Sequence, residues 1–272
     1  MAFSRSSSVS FFTFLLFAVF INPAISSRVS SFITLPVAVD EFLLSFTASY
    51  CESWRLSVET NNAGPSEVVP SKCVRSLETY YNQGQFDNDY SIVATYTLAY
   101  AKTVKIGGDG KDAWVFDIDE TLLSNLEYYA AHGYGSEPYN SKAFNEWVLK
   151  GTAPGFDASL KLFKDLKQLG FTIILLTGRD EGQRAITEKN LQDAGLGVDC
   201  FCACDLGLLI LTHWGEEDQG KAAAKYKSEQ RSRMVKKGYK LHGNTGDQWS
   251  DLQGFALADR SFKVPNPMYY IG

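Results

Sequence analysis

Asp117 and Asp119 stand in the run Asp117-Ile118-Asp119-Glu120-Thr121, directly after the apolar stretch Ala113-Trp114-Val115-Phe116. An apolar run that ends in acids reads as a buried strand of a parallel sheet, where charge is tolerated only at the open end. Strand alternation puts Asp117 and Asp119 on the same side. Two carboxylates about 4 Å apart repel by roughly 4 kcal/mol at an effective dielectric of 20. Either one acid is protonated at neutral pH, or a divalent cation sits between them, and oxygen-only ligands favour magnesium. A second acidic cluster, Gly246-Asp247-Gln248-Trp249-Ser250-Asp251, follows the short run from Tyr239 to Gly243, with Gly246 free to make a tight turn. One Mg2+ ion held by Asp117 and Asp247, with waters and a phosphate oxygen completing six ligands, accounts for both clusters. Taken separately, each aspartate has the alternative of capping a helix or shaping a turn.

The elements that must position these acids alternate along the chain. Asp157 to Leu169 has helical spacing and is stopped by Gly170; Phe171 to Leu176 (FTIILL) reads as a strand. Thr177-Gly178-Arg179 then turns into a helix over Glu181 to Ala194, ended by Gly195. Further strands are predicted at Leu206 to Leu211 and Tyr239 to Gly243, with a helix over Ala222 to Lys237. Strand-helix alternation of this kind predicts an α/β fold, a Rossmann-like doubly wound parallel sheet. Ligands of such sheets lie beyond the carboxyl ends of the strands, which here carry Asp117, Asp119, Thr177 and Asp247.

Two segments lie outside that alternation. Asn125 to Ala153 is rich in Tyr, Gly and Trp without a strong strand signal, and reads as a small cap insertion at about 125–153. Its Tyr128, Tyr129, Tyr134 and Trp147 either line a substrate pocket or form the insertion's own core. Residues 27–110 read as a helical amino-terminal arm, with helices over Ser66 to Asn82 and Asp89 to Val104, separated by Gly107-Gly108-Asp109-Gly110 from the core at 111–272. The arm could mediate a homodimer.

Composition removes several classes of function. The 272 residues are 45% hydrophobic and 21% charged, enough to bury a sizeable core. A net charge of −5 provides no global field towards nucleic acid or anionic lipid. Residues 1–26 read as a signal peptide: Arg5, the apolar run Val9 to Ile21, then small residues before a cut after Ser26. Cleavage leaves 25 bases against 31 acids and no segment able to cross a bilayer. Entry to the secretory pathway permits disulfides, and a Cys51–Cys73 bridge would close a loop worth about 3.4 kcal/mol in the chain-entropy model. Cys200, Cys202 and Cys204 lack zinc-site spacing, and no N-x-S/T sequon occurs. His132, His213 and His242 are too scattered for a zinc site or a histidine nucleophile.

DIDET after one strand, LLTGR after the next, a later lysine and then GDxxxD resemble the four motifs of the haloacid-dehalogenase (HAD) superfamily of phosphotransferases. The likeness narrows to plant acid phosphatases and vegetative storage proteins through YCESWRLSVETNNAGP, VFDIDETLLSN, GNTGDQWSDL and PNPMYYI, over roughly residues 40–196 and 206–272. The resemblance implies that Asp117 attacks phosphorus and forms an aspartyl-phosphate, while Asp119 protonates the leaving alcohol and later deprotonates water. It implies that Thr177 holds a phosphate oxygen and that Lys227 neutralises phosphate charge, with Lys221 and Lys225 as competitors on the same predicted helix. Asp247 would ligate magnesium together with Asp117 and the backbone carbonyl of Asp119, and Asp251 would support it or add a ligand. Arg179 reads as a solvated or ion-paired residue. The implied function is a Mg2+-dependent acid phosphatase acting on small phosphomonoesters, secreted or vacuolar. The alternative is a storage protein, since some relatives have lost the nucleophile; position 117 is still Asp. Gly197 to Trp214 departs from the family pattern, being longer, apolar and cysteine-rich.

Overall fold

The apolar runs pair into one sheet in which every neighbouring pair is parallel, in the order β3-β2-β1-β4-β5. The strands are β1 Asp112–Phe116, β2 Thr172–Asp180, β3 Leu209–Trp214, β4 Lys240–Gly246 and β5 Arg260–Lys263. The computed structural model describes residues 37–63, 68–196 and 209–271. The expected signal peptide, Cys200, Cys202, Cys204 and most of the divergent 197–214 stretch lie outside the described residues. The helices are α1 Val37–Glu59, α2 Val74–Asn82, α3 Gln85–Ala101, α4 Leu126–Ala131, α5 Ser141–Val148, α6 Asp157–Gln168, α7 Arg184–Asp193, α8 Ala223–Lys236 and α9 Trp249–Leu252.

Strand pleating sorts the core into two layers. Trp114, Phe116, Ile173 and Leu175 point to one face, with Leu162, Phe163 and Leu166 of α6. Ala113, Val115, Ile174 and Leu176 point to the other, where Tyr226 and Met234 of α8 cover them. Burial on both faces is why these strands read as continuous apolar runs rather than alternating ones. Gly243 lies beside Trp114 on the neighbouring strand; a Cβ there would come within 2.3 Å of the indole, so only glycine fits.

The helices of residues 37–110 are tied in at two levels. Tyr80, Tyr81, Phe86, Tyr90 and Ala101 join the first core layer, and α3 packs on α6. The Tyr90 hydroxyl donates to the carbonyl of Thr121 at 2.5 Å, reaching the acidic loop itself. Cys51 and Cys73 form the expected disulfide, with Cα atoms 5.3 Å apart. Residues Phe42–Gly272 form one compact unit. No helix among the described residues is long and apolar enough to cross a membrane.

Several boundaries move. The helix expected over Ser66 to Asn82 starts at Val74, after Pro70 and a 3-10 turn over Ser71–Cys73. Between Asn125 and Ala153 lie α4, a 3-10 turn at Gly133–Gly135 and α5. β2 does not end at Leu176: it runs on through Thr177-Gly178-Arg179 to Asp180, slipping register against β3 between Leu176 and Asp180. β4 likewise continues to Gly246, and the strand expected over Leu206 to Leu211 is observed over Leu209–Trp214. β5 and α9 carried no sequence signal: RSFK buries only Phe262 fully and α9 is a single turn.

Candidate active site

Asp117 extends the ladder one residue past β1, its amide donating to Thr245 O at 3.0 Å. The chain then folds over itself: the amides of Thr121, Leu122 and Leu123 all point at the carbonyl of Ile118, at 3.2, 2.8 and 2.9 Å. Closing that knot forces Glu120 to a φ of 54°, a costly conformation for a side chain with a Cβ. Bonds over-determine it, because the Glu120 carboxyl receives the Asn125 amide at 2.7 Å and the hydroxyl of Tyr269.

Around Asp117 the chain gathers distant charges. Lys227 Nζ lies 2.5 Å from Asp117 Oδ1 and also pairs with Asp251. Among the described residues, Asp117, Asp247 and Asp251 each offer an oxygen within 4.8 Å of the others, and all three are buried. Thr121 Oγ1 donates to Asp247 Oδ1 at 3.2 Å. Lys227 is therefore the lysine that reaches the acids. Lys221 is engaged by Asp218 and Glu229 at 2.5 and 2.7 Å, and Lys225 is exposed.

Side-chain amides hold the acid loop alongside Lys227 and Arg231. Asp247 Oδ2 accepts from Gln248 Nε2 at 2.7 Å and from Asn266 Nδ2 at 2.8 Å. The carbonyl of Asp251 accepts from Arg231 Nη1 and Asn244 Nδ2 at 2.6 and 2.7 Å. Gly246 is needed for contact as well as turning, since a Cβ there would fall 2.5 Å from the Asp251 side chain.

Asp119 departs from the simple pairing expected for it. Its carboxylate accepts from Arg179 at 2.7 Å (Nη2) and 3.0 Å (Nε), and from Asn125 Nδ2 at 2.9 Å. Two separate bases, Lys227 and Arg179, offset the repulsion between Asp117 and Asp119. Arg179 is ion-paired and buried, its side chain 2% exposed against 18% for Asp119, so it backs the carboxylate while Asp119 faces outward. Thr177 lies inside β2, fully buried. Its hydroxyl oxygen accepts the Arg179 amide at 3.1 Å, and its carbonyl accepts the Tyr226 hydroxyl at 3.2 Å, one residue before Lys227.

Burial and charge set the proton affinities. Burial raises the Asp117 carboxyl well above the usual range; Lys227 opposes this, but Asp251, Asp247 and Asp119 add to it. Burial, Asp251 and Glu120 push Asp247 up to about 7. Burial and Asp119 push Glu120 up to about 8. Asp119 goes the other way: burial would raise it, but the Arg179 charge and the hydrogen bonds from Arg179 and Asn125 hold it below the ordinary carboxylate range. Lys227 stays protonated, since Asp117 and Asp251 outweigh its burial.

That imbalance is the test of fit for a cation. Three buried carboxylates meet one ammonium; ionised together they would leave two negative charges without a base, which is why the carboxyls of Asp117 and Asp247 are raised when no cation is bound. The donors are hard oxygens, the set a divalent ion such as Mg2+ or Ca2+ takes. The site fits a divalent cation.

The other residues raised by the sequence divide cleanly. Tyr128, Tyr129 and Trp147 are buried in the same core as the sheet, and Tyr134 packs against it, so these aromatics are core. His132 Nδ1 is 2.7 Å from Tyr128 O, and His242 bridges Asp112 and Asp259 at 2.8 and 2.9 Å. Burial, and then the Arg184 charge, lower His213 to about 4, so it is neutral. Sequence reasoning missed Glu120, Asn125, Asn266 and Tyr269. The last two belong to PNPMYYI, a motif that carried a resemblance but no chemistry of its own.

A doubly wound sheet whose carboxyl edge gathers a buried aspartate, a lysine and an acid loop has the frame of the HAD phosphotransferases. The model of the HAD superfamily, subfamily IIIB (acid phosphatase), matches residues 42–272, and the chain belongs to this family. It is 46% identical to Acid phosphatase 1 of Solanum lycopersicum over 221 residues, 81% of this chain and 83% of that one. It is 39% identical to the Stem 28 kDa glycoprotein of Glycine max (86% and 92% covered) and 34% to Vegetative storage protein 2 of Arabidopsis thaliana (84% and 83%). The class C acid phosphatase of Bacillus anthracis shares the fold, with a TM-score of 0.56 at 21% identity over 74% of this chain and 86% of that one.

Proposed function

We propose that the protein is a Mg2+-dependent acid phosphatase that hydrolyses small phosphomonoesters through an aspartyl-phosphate on Asp117. The observation that carries this reading is the buried contact of Lys227 with Asp117 inside a cluster of three aspartates. An ammonium 2.5 Å away favours the ionised, nucleophilic form of Asp117 that burial opposes. An oxygen of Asp117 attacks phosphorus as the ester oxygen leaves with a proton from Asp119. Water then gives its proton to Asp119 and attacks phosphorus, releasing inorganic phosphate and restoring both acids. Because Arg179 keeps Asp119 ionised, loading it with the proton for the first step favours acidic pH. Thr177 and Lys227 would hold the phosphoryl oxygens. Asp117, Asp247 and the Asp119 carbonyl, with Asp251 as support or additional ligand, would hold Mg2+, which when bound neutralises phosphoryl charge.

Residues 27–110 serve as an arm and the segment at 125–153 as a cap in this reading. The Cys51–Cys73 bridge supports passage through the secretory pathway, with an extracellular or vacuolar destination. The relatives among storage proteins make deposition as a reserve the second reading, and the retained Asp117–Lys227 pair favours catalysis over it.

The deciding experiment assays purified protein on an aryl phosphate with Mg2+ between pH 4 and 7, with Asp117→Asn beside it. Turnover by the wild type is expected, and loss of it in the variant at nearly the same Tm. No wild-type turnover, or equal turnover by the variant, overturns the reading.

A further inference from the structure

Asn125 is fully buried and makes four hydrogen bonds to other side chains, three through its own side chain and one through its backbone amide, each with an assignable direction. Its Oδ1 accepts from Trp147 Nε1 at 2.8 Å. Its Nδ2 donates to Asp119 Oδ1 at 2.9 Å and to Glu120 Oε2 at 3.2 Å, and its backbone amide donates to Glu120 Oε1 at 2.7 Å. An indole nitrogen can only donate. The oxygen of the amide must therefore face Trp147, and the two N–H groups must face the carboxyl groups; the reversed amide would set N–H against N–H and oxygen against oxygen. Trp147 is on α5 and Asn125 directly precedes α4, so this bond joins the two ends of the segment inserted after the acidic loop.

Arg179 and Asn125 both donate to Asp119 Oδ1, at 2.7 and 2.9 Å. We infer that Asn125, with its amide clamped by Trp147, is a positioning residue that holds the Asp119 carboxylate in the orientation for exchanging protons with the leaving alcohol and with water. The inserted segment thereby sets the geometry of the general acid without touching the reacting atoms. This inference rests on the role of Asp119 proposed above.

Leaving groups separate placement of an acid from mere stability. A nitrophenolate departs with little help from a proton, whereas an alkoxide needs it. The readout is the ratio of kcat/KM for p-nitrophenyl phosphate to that for glycerol 2-phosphate. Both substrates are assayed on one preparation, so the ratio is independent of how much of a variant is folded. Asp119→Asn, the reference, is expected to raise the ratio by about a hundred-fold or more. Asn125→Ala is expected to raise it roughly ten- to thirty-fold, and Trp147→Phe, which stays aromatic but loses the donor ring and its hydrogen bond, roughly five- to ten-fold. If Asp119→Asn raises the ratio and the other two leave it at the wild-type value, the positioning role is overturned while the role of Asp119 stands. If Asp119→Asn itself leaves the ratio unchanged, the role of Asp119 falls and this inference with it.

Discussion

Asp247 makes metal binding and pH one measurement. Its carboxyl is raised from 3.8 to about 7 by burial, then by Asp251 and Glu120. Between those two values the folded protein without a cation holds a proton that the unfolded chain has released. Native protein then binds the more protons, so stability falls as pH rises across this window. At roughly 1.4 kcal/mol per pH unit, the loss from pH 4.5 to 7 is at most about 3 kcal/mol, and for a fully buried group solvent screening removes little of it. A cation that replaces the proton restores this energy, and must displace a full proton at pH 4.5 but only about half of one at pH 7. The rise in Tm on adding millimolar Mg2+ is therefore expected to be larger at pH 7, by roughly 10 °C for a unit of this size. Differential scanning fluorimetry of wild type and Asp247→Asn, with Mg2+ or EDTA at both pH values, checks it. The variant has no proton to lose there and is expected to show a flatter pH profile in EDTA. A Mg2+-induced shift of equal size at pH 4.5 and pH 7 refutes the reasoning.

Two other outcomes follow from single contacts. Lys227→Met leaves Asp117 and Asp251 buried without a base; turnover is expected to vanish and stability to drop by about 3–5 kcal/mol, read from urea unfolding at pH 7. Replacing Cys51 and Cys73 together by Ser is expected to cost about 3.4 kcal/mol with turnover per folded molecule unchanged, since neither cysteine touches the acids; an equal loss of specific activity contradicts that.

Much of this architecture is written locally. β1 and β2 are apolar on both faces because helices cover both faces, and such runs are visible without a structure. Asp117 and Asp247 follow from chain position alone, because acids just beyond buried strands must be at an open end. What stayed hidden depends on partners far away. Arg179 reads as any arginine until the fold sets it behind Asp119, 60 residues earlier. Glu120 and Asn125 look like loop residues, and only the knot around the Ile118 carbonyl turns them inward. The sequence predicts an end to β2 at Leu176 because Thr-Gly-Arg resembles a turn; pairing of Asp180 with Trp214 on β3 carries the strand further. Short edge strands such as β5 have no hydrophobic period to detect.

The dependence of Asp247 on Asn266, and of Glu120 on Tyr269, also has a consequence in time. A ribosome adding about 5–20 residues per second needs roughly 7–30 s after making Glu120 before Tyr269 exists. Over that interval Glu120 lacks its hydroxyl partner, and Asp247, itself made late, then waits 19 residues for the amide of Asn266, so the centre can close only near the completion of this stretch of chain.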